Sequence, residues 1–568
     1  MTKTSNNPIE KLLLIFLICW TIINFIQGYF TEVHPDEAYY YLYSRFLDWG
    51  YFDHPPMVAL FIKAGDFVFS SKLGIRLLSI LTSTGSIYLL WKIVEKYSSD
   101  IKIFLLIFLS ILLFHVYGFI STPDSPLLFF SILFWFVYQR YIDEDKVELA
   151  IFLSLIIACL LYSKYHGILL LFFTLLSNLK LLRRPSFYLI VSLSIILFLP
   201  HIFWQYKNGF PSVYYHIIDR SASPYEYSYT LDYLIAQVLI AGPLTGWFFY
   251  YSAIRVKRSD LFIKALYFNF WGIFIFFLIS TFKGRVEAHW TLIGFVPLFI
   301  LSYLSLTQNV IPKWFSKVAI ANICLIILAR ICVIIPFPVL KDFEPIRYYF
   351  GSEKWAKKIH SKVGDEYVIF EDGFQDASKY DFYNRTTRGF AYDSRDYRKT
   401  QFDIWPLEDS LRNKRVYYVT YRSLPKYIIK DTISTTKGNF VGAWIDSARL
   451  FQKVKIESSG LHEWKTGAKY RIKIKVYNPY DKEVSFSNKG EKWKCYLEYG
   501  FSKNGKLGKF KSSNSGFEKL RILPNKFAEI TALVHAPLQT GNYKLIFSIR
   551  TEPFAGARNS NMISVYVK

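Results

Sequence analysis

Long apolar segments recur between residues 12 and 337, and they constrain the fold more than any other feature of the sequence. A helix needs roughly 20 mostly apolar residues to cross a bilayer, and about eleven segments approach or reach that length. Their ranges are 12–30, 73–95, 102–120, 125–141, 147–163, 167–182, 186–204, 233–254, 263–281, 290–306 and 317–337. We therefore predict a polytopic α-helical membrane protein. No small-residue cleavage site follows the first segment, so we expect it to be a retained span.

The composition indicates that a soluble part is joined to this membrane part. Of the 568 residues, 52% are hydrophobic, which is high for a soluble protein, and 20% are charged, which is high for a membrane bundle. After the last span, WAKKIHSKV has helical spacing, and YVIFED and RVYYVTY resemble strands. From about residue 440, short alternating segments such as YRIKIKVYN are typical of an antiparallel β-sandwich. The predicted domains are a transmembrane domain (1–340), an α/β domain (341–435) and a β-sandwich (436–568).

The formal net charge of +24 would suit nucleic-acid binding, but the basic residues flank apolar segments. That placement favours membrane orientation and contact with anionic membrane lipid, so we predict no nucleic-acid partner. Short basic loops are expected on the cytoplasmic side, and here they lie near residues 3–11, 92–102, 180–184, 255–264 and 313–317. The other loops then face outward, and an odd number of spans places the C-terminal domains on that extracytoplasmic side as well.

The loop TEVHPDEAYYYLYSRFLDWGYFDHPPM (31–57) is too polar to span a bilayer. Its Asp36 and Glu37 follow Pro35, and both proline and acidic residues are favoured in the first turn of a helix. Helix capping alone would account for the two acids. Alternatively, one carboxylate acts as a catalytic base while the other pairs with a cation.

Further along the same loop, Asp53 and His54 precede two prolines, which restrict the backbone and would hold both side chains in a defined pose. The alternative is a loop that only needs rigidity. Asp124 in STPDSP is a candidate substrate-binding residue, although its position is also typical of a helix start. Lys164 and His166 in SKYHG lie between two spans, where a charged group needs a partner or must reach the membrane surface.

The loop KGRVEAHW (283–290) contributes Arg285, Glu287 and His289. Arginine suits contact with phosphate, and an ordinary charged hairpin is the alternative. The long loop 205–232 is either a lid or a passive connector. Five cysteines without a CxxC pattern support neither a disulfide framework nor a zinc site. The histidines and acids of the outward loops match no metal motif, so we predict no metal and keep a divalent ion as an alternative.

The motifs HPDEAYYYLYSRFLDWGYFDHPPM, LGIRL, TPDSPL and SKYHG resemble the bacterial branch of glycosyltransferase family 39, of the GT-C class. That branch is similar to the lipid A aminoarabinose transferases and more distantly to the protein O-mannosyltransferases. The resemblance covers roughly residues 10 to 340 and not the soluble domains. It implies a GT-C fold in the bacterial inner membrane, with the active site on the periplasmic side.

The resemblance also implies the reaction. A sugar passes from a polyprenyl-phosphate donor to a lipid, glycan or protein acceptor with inversion, and no cofactor is required. Asp36 matches the acidic first-loop residue of the family and is the favoured base, and Asp53 matches a second acidic position. The candidate catalytic residues are therefore Asp36, Glu37 and Asp53. Aminoarabinose transferases carry Glu-Lys at that second position and this chain carries Asp-His. The cations for the donor phosphate are therefore expected to be Lys164 and Arg285.

Two other classes of function compete with this prediction. A transporter or flippase of a charged lipid or solute would carry charges within its spans and broken helices in paired halves. A membrane-anchored adhesion or assembly protein would need far fewer spans. Neither the sugar nor the acceptor follows from the sequence.

Overall fold

The computed structural model describes residues 8–219, 225–257, 260–337, 343, 349–435, 438–458, 463–513 and 516–568. The chain divides into two compact units, Met1–Phe350 and Gly351–Lys568. Parts of the basic loops near residues 3–11 and 255–264, part of loop 205–232 and the predicted boundary at 340/341 lie outside the described residues.

The first unit is helical. Its helices are α1 (Pro8–Phe30), α2 (Pro35–Arg45), α3 (Met57–Val68), α4 (Lys72–Val94), α5 (Ile101–Ser110), α6 (Leu112–Val116), α7 (Asp124–Tyr141), α8 (Val147–Ser163), α9 (Gly167–Ser177), α10 (Pro185–Lys207), α11 (Pro211–Val213), α12 (Tyr227–Ala241), α13 (Gly246–Ala253), α14 (Leu261–Ser280), α15 (Leu292–Gln308) and α16 (Phe315–Ile334). A π-helical turn (Tyr214–Asp219) follows α11, and 3-10 turns precede α10 (Leu179–Arg183) and α15 (Ala288–Thr291).

The apolar helices form a multi-pass bundle, as predicted. In the described part of the chain, six helices are long and apolar enough to span a membrane: α1, α4, α10, α14, α15 with its preceding turn, and α16. α5, α8 and α9 are shorter apolar helices. From Leu292 to Leu306 every residue of α15 is buried, as expected for a helix that is apolar on all sides. α1, α10 and α16 instead expose most of their apolar side chains, which indicates faces turned to lipid.

Two predicted spans, 102–120 and 233–254, are each interrupted by a break, so they are not the continuous helices that the sequence predicts. The first is broken between α5 and α6, and the second bends by 91° between α12 and α13. Asn322 on α16 bonds to both breaks: its Nδ2 donates to the Ser110 carbonyl at 2.8 Å, and its Oδ1 accepts from the Leu244 amide at 2.9 Å. Irregular backbone inside a membrane requires such partners, and this one lies far away in sequence.

The polar loop 31–57 folds into α2 and a tight turn that leads to α3. α3 packs on both α2 and α4. The approach of α3 to α4 is so close that a Cβ atom on Gly65 would lie 2.1 Å from the Gly74 carbonyl oxygen. This contact fixes α4 against the polar loop, and α4 carries a buried arginine that the loop uses.

The second unit contains an α/β part and a β-sandwich. Its elements are α17 (Ser352–Val363), β1 (Tyr367–Glu371), α18 (Phe374–Asn384), β2 (Gly389–Tyr392), α19 (Leu407–Leu411), β3 (Val416–Thr420), β4 (Asp431–Thr435), β5 (Gly438–Ile445), β6 (Lys455–Ser458), β7 (Glu463–Trp464), β8 (Lys469–Tyr477), β9 (Val484–Ser485), β10 (Cys495–Lys503), β11 (Lys506–Leu507), β12 (Lys511–Ser512), β13 (Arg521–Ile522), β14 (Phe527–His535), β15 (Gly541–Thr551) and β16 (Ile563–Val567).

The α/β part is built on a sheet of order β2-β1-β3-β5-β4, within the described residues. β1 pairs in parallel with β2 and β3, whereas β5 pairs antiparallel with β3 and β4. The segments WAKKIHSKV, YVIFED and RVYYVTY supply α17, β1 and β3. Because β5 completes this sheet, the α/β part extends to Ile445, beyond residue 435 where the sequence placed its end.

The β-sandwich has the alternation expected from the sequence. In β8 the residues Arg471, Lys473 and Lys475 are exposed, while Ile472 and Ile474 between them are buried. β8 lies between β14 and β6, and the opposing sheet contains β11-β10-β15-β16-β7. Both sheets contribute side chains to one apolar core.

Candidate functional site

The helix α2 positions the two acidic residues of the first loop. Pro35 occupies its first turn, and the His34 side chain accepts a hydrogen bond from the Asp36 amide at 3.3 Å. The Glu37 carboxylate accepts from the His34 amide at 3.0 Å, which completes a capping box. Capping therefore accounts for part of the sequence pattern.

Glu37 is completely buried against Arg76 of α4. Arg76 Nε donates to Glu37 Oε1 at 2.8 Å and Nη2 donates to Oε2 at 2.5 Å, while the Ser121 amide adds a third donor at 3.0 Å. Burial opposes the ionisation of Glu37, but Arg76 and these hydrogen bonds hold the pKa of the carboxyl below its usual value. Both carboxylate oxygens of Glu37 accept hydrogen bonds within the protein. Glu37 was predicted to be catalytic, but its contacts indicate that it holds α2 in position.

Asp36 lies in a different environment from Glu37. Its side chain is 42% exposed, and Nδ1 of the His34 imidazole lies 3.7 Å from its Oδ2. Successive residues of a helix point about 100° apart, which separates these two adjacent carboxylates. Asp36 is therefore the member of the pair that a substrate can reach.

Asp53 and His54 are held by aromatic and histidine neighbours. The Tyr43 hydroxyl donates to Asp53 Oδ1 at 2.6 Å, and the His216 ring lies 3.0 Å from the Asp53 carbonyl. Burial lowers the pKa of His54 to about 3, although the nearby Asp53 opposes that shift. His54 is therefore neutral at neutral pH. It does not provide a positive charge for a phosphate, as the lysine at this position of the aminoarabinose transferases would.

Tyr40 marks the place where the carboxylates of three segments converge. This tyrosine lies one helical turn after Asp36 and is 6% exposed. Burial, followed by the negative charges of Asp36, Asp53 and Asp124, raises its pKa well above the usual value. Its ring also lies 5.7 Å from the ring of His54. The first loop and the start of α7 thus contribute to one cluster.

Lys164 and Asp124 form a buried ion pair. Lys164 Nζ donates to the two carboxylate oxygens of Asp124 at 2.8 and 2.9 Å, and His289 Nε2 lies 3.8 Å from Oδ2. Lys164 is 3% exposed and Asp124 is 4% exposed. Asp124 is thus the partner that a lysine between two spans was expected to need. Its carboxylate compensates most of the positive charge that Lys164 would otherwise offer to a phosphate.

His166 packs against aromatic side chains. Its ring centroid lies 5.5 Å from that of Trp290 and 5.3 Å from that of Phe277. Burial, followed by the positive charge of Lys164, lowers the pKa of His166 well below its usual value. This places a neutral ring beside the ion pair.

Arg285 and Glu287 lie on an exposed loop before α15. The Arg285 side chain is 71% exposed and that of Glu287 is 38% exposed, with Arg285 Nε 4.0 Å from Glu287 Oε1. An ion pair at this distance and exposure is weak. Arg285 is thus a cation open to solvent, and it is not packed into the buried cluster.

Several residues of the site were not identified from the sequence. The first is Arg76, a charged side chain inside an apolar span, which is itself a signal of function or of a buried partner. The others are Tyr40, which lies near the acidic residues, and Tyr43, which donates to Asp53. Tyrosines are too frequent in this chain, with 43 of them, for the sequence to single out two. Among the described residues, no group of three histidine, cysteine or acidic side chains could hold a metal ion.

Comparison with known proteins supports the resemblance carried by the motifs. The family model described as dolichyl-phosphate-mannose-protein mannosyltransferase matches residues 53–204. The fold is that of ArnT from Cupriavidus metallidurans in the apo state, with a TM-score of 0.55 and 16% identity over 76% of this chain and 98% of that chain. ArnT bound to undecaprenyl phosphate gives a TM-score of 0.53 and 15% identity over 76% and 97%. A search of the curated proteins found no match.

These findings confirm the resemblance to the GT-C glycosyltransferases of family 39 and the predicted fold class. The chain is a multi-pass membrane protein with an ArnT-like fold.

Proposed function

We propose that this protein is an integral membrane glycosyltransferase that transfers a sugar from a polyprenyl-phosphate donor to an extracytoplasmic acceptor. The observation that carries the proposal is the contrast between Asp36 and Glu37. Asp36 is 42% exposed at the start of α2, whereas Glu37 is fully buried in an ion pair that fixes this helix. A half-exposed carboxylate on a rigid, buried support is what a general base requires.

In the proposed reaction, Asp36 removes the proton from a hydroxyl or amine of the acceptor. The acceptor atom then attacks the anomeric carbon of the sugar, the bond from that carbon to the phosphate oxygen breaks, and the configuration inverts. The electron pair leaves with the polyprenyl phosphate. A phosphate leaves without needing a proton from a strong acid, so one base and a source of positive charge are sufficient.

Arg285 is the proposed cation for that phosphate, because it is exposed and only weakly paired. Lys164 has a smaller role in this proposal, since Asp124 already compensates its charge. Asp53 and His54 are proposed to contact the donor, with Tyr43 and His216 holding them in place. His166, Glu287 and His289 would shape the wall of the site around Asp124.

Two of the comparisons with known proteins support a lipid-linked donor. A homologous fold, ArnT, has been crystallised with undecaprenyl phosphate, and the matching family model describes enzymes whose donor is a dolichyl-phosphate sugar. We propose that no cofactor is needed, with a divalent metal as the alternative. Full transfer after treatment with EDTA would support the metal-free reaction.

The basic loops support an inner-membrane location, with the site and the C-terminal domains on the extracytoplasmic side. The acceptor class stays open between lipid, glycan and protein. The transporter hypothesis lacks comparable support, because the family model that matches describes a transferase.

The test compares the envelope lipids, glycans and proteins of a deletion strain by mass spectrometry. We expect one glycosyl group to disappear, to return with the wild-type gene, and to stay absent with the Asp36→Asn gene. Loss of the group would identify the acceptor. An unchanged glycome together with altered uptake of a solute would overturn the proposal in favour of a transporter.

A further inference from the structure

Arg330 is a charged residue inside α16, a helix that is long and apolar enough to span the membrane. Arginine within such a helix is costly and normally has a partner that compensates its charge. In the described residues, however, the polar side-chain contacts of Arg330 are all with neutral groups. They are the amide oxygens of Gln27 and Asn24, at 3.2 and 2.8 Å, and Nδ1 of His115, at 3.4 Å.

These three partners are oriented to accept hydrogen bonds from Arg330. The Asn24 amide nitrogen donates to the Trp20 carbonyl at 2.9 Å, and the Gln27 amide nitrogen donates to the Thr31 hydroxyl at 2.9 Å. Their oxygens are therefore left facing the guanidinium. Asn24 is 0% exposed and Gln27 is 3% exposed, so this arrangement is built into the interior of the bundle.

His115 is neutral in this arrangement. Its Nε2 lies 2.8 Å from the Leu109 carbonyl, which can only accept, so Nε2 carries the proton and Nδ1 is the acceptor for Arg330. The rings of Trp20 and Phe119 also contact the guanidinium, both with centroids 5.7 Å away. The pocket thus solvates Arg330 with dipoles and aromatic faces but supplies no negative charge.

The position of Arg330 indicates where a negative charge would come from. The neighbouring residues Ile327, Leu328 and Ile331 are 48%, 53% and 40% exposed and apolar, so this face of α16 is turned to lipid. Arg330 lies near the end of α16, and Gln27 lies near the end of α1 that leads into the first loop. The ends of membrane-spanning helices are where the lipid headgroups are expected. A guanidinium has five N–H donors, and the three contacts above leave two for a further acceptor.

We propose that Arg330, held in place by the amide oxygens of Asn24 and Gln27, binds the phosphate of an anionic membrane phospholipid. The fork of an arginine matches two phosphate oxygens, and the bound phosphate would supply the negative charge that Arg330 does not receive from the described residues around it. This site involves α1, α6 and α16 and does not depend on the proposed transferase activity.

The experiment uses the full-length protein, delipidated in a neutral detergent and titrated with phosphatidylglycerol or phosphatidylcholine while bound lipid is counted by native mass spectrometry. We expect wild type to bind phosphatidylglycerol preferentially and Arg330→Gln to bind it about ten-fold more weakly, the loss expected for one charge-assisted contact. The matched control is Arg140→Gln, which removes an arginine that donates to the Phe136 carbonyl at the end of another apolar helix. It should bind as wild type does.

Arg330→Lys keeps the charge without the fork and should bind between wild type and Arg330→Gln, which provides a test if the glutamine variant does not fold. Equal binding of phosphatidylglycerol by wild type and both Arg330 variants would overturn the proposal. So would displacement of the lipid by millimolar inorganic phosphate, because the ligand would then be a soluble anion.

Discussion

Arg76 donates hydrogen bonds to both carboxylate oxygens of Glu37, and neither side chain is exposed to solvent. Arg76 also donates to the carbonyls of Gly28 and Thr31, each at 2.8 Å. One guanidinium therefore joins the end of α1, the start of α2 and the body of α4. The neighbour of Glu37, Asp36, is presented to the outside by a support that cannot easily move.

Replacing Asp36 by Asn should abolish transfer without unfolding the protein. The change removes the proposed base, which is worth roughly 100-fold or more in rate, and it disturbs no buried contact. The measurement is transfer in vitro from a polyprenyl-phosphate sugar, with thermal unfolding in detergent as the check on folding. The control is Asp143→Asn, whose side chain is 66% exposed and pairs only loosely with Lys96. A fully active Asp36→Asn protein would show that Asp36 is not the catalytic base.

Breaking the Glu37–Arg76 pair should destabilise the first unit. Glu37→Gln or Arg76→Gln leaves one buried charge uncompensated, which costs about 3 kcal/mol, while the double variant leaves none. We expect the loss of stability in the double variant to be smaller than the sum of the two single losses. Thermal unfolding of the four proteins tests this, and strictly additive losses would contradict the pairing.

The Asp124–Lys164 pair should show a different pattern, in which stability and activity separate. Asp124→Asn leaves Lys164 buried and unpaired, so it should unfold at a lower temperature than the Asp124→Asn/Lys164→Gln double variant. Neither protein should recover full transfer, because both lack the Asp124 carboxylate that lies near Tyr40 in the site. An active double variant would show that this pair serves the fold alone.

Arg285→Ala should weaken use of the donor without affecting stability. The side chain is 71% exposed, so its removal leaves no buried partner unsatisfied. We expect the KM for the polyprenyl-phosphate sugar to rise about ten-fold, as expected for one lost charge-assisted contact. Lys283→Ala, a neighbouring cation on the same loop, is the control. Equal effects of the two substitutions would assign the result to general charge and not to Arg285.

His54 should make stability depend on pH. Its pKa falls from 6.5 to about 3 on folding, so the unfolded chain binds a proton that the folded chain does not in this window. Stability therefore falls as the pH drops from 6.5 towards 3, by at most about 1.4 kcal/mol per pH unit. His54→Asn should lose part of this dependence when thermal unfolding is compared at pH 7, 5.5 and 4.5. Parallel curves for the two proteins would contradict the prediction.

Local patterns in the sequence predicted the elements that local physics controls. Pro35 with two acids predicts the start of α2, and the strict alternation of YRIKIKVYN predicts β8. In both cases the residues that determine the structure lie within one turn or a few strand positions of each other. Most predicted spans and strands are found for this reason.

Contacts between distant residues could not be predicted in the same way. Asp124 and Lys164 were both identified as candidates, but nothing local shows that they pair across 40 positions. One carboxylate of the Asp36–Glu37 pair was expected to bind a cation, but the sequence did not show that it is Glu37 or that its partner is Arg76, 39 positions away in an apolar helix. The exposure of Arg285 depends likewise on how the loops pack, which composition does not reveal.

Both helix breaks depend on Asn322, a residue that is synthesised after both of them. A chain is made from its N-terminus, so the breaks after Ser110 and before Leu244 enter the membrane before Asn322 has been translated. The Ser110 carbonyl and the Leu244 amide can form their hydrogen bonds to Asn322 only after that residue has been added to the chain. The two breaks therefore gain this shared partner only after α16 has been made, and a ribosome stalled before residue 322 would leave the Ser110 carbonyl and the Leu244 amide without it.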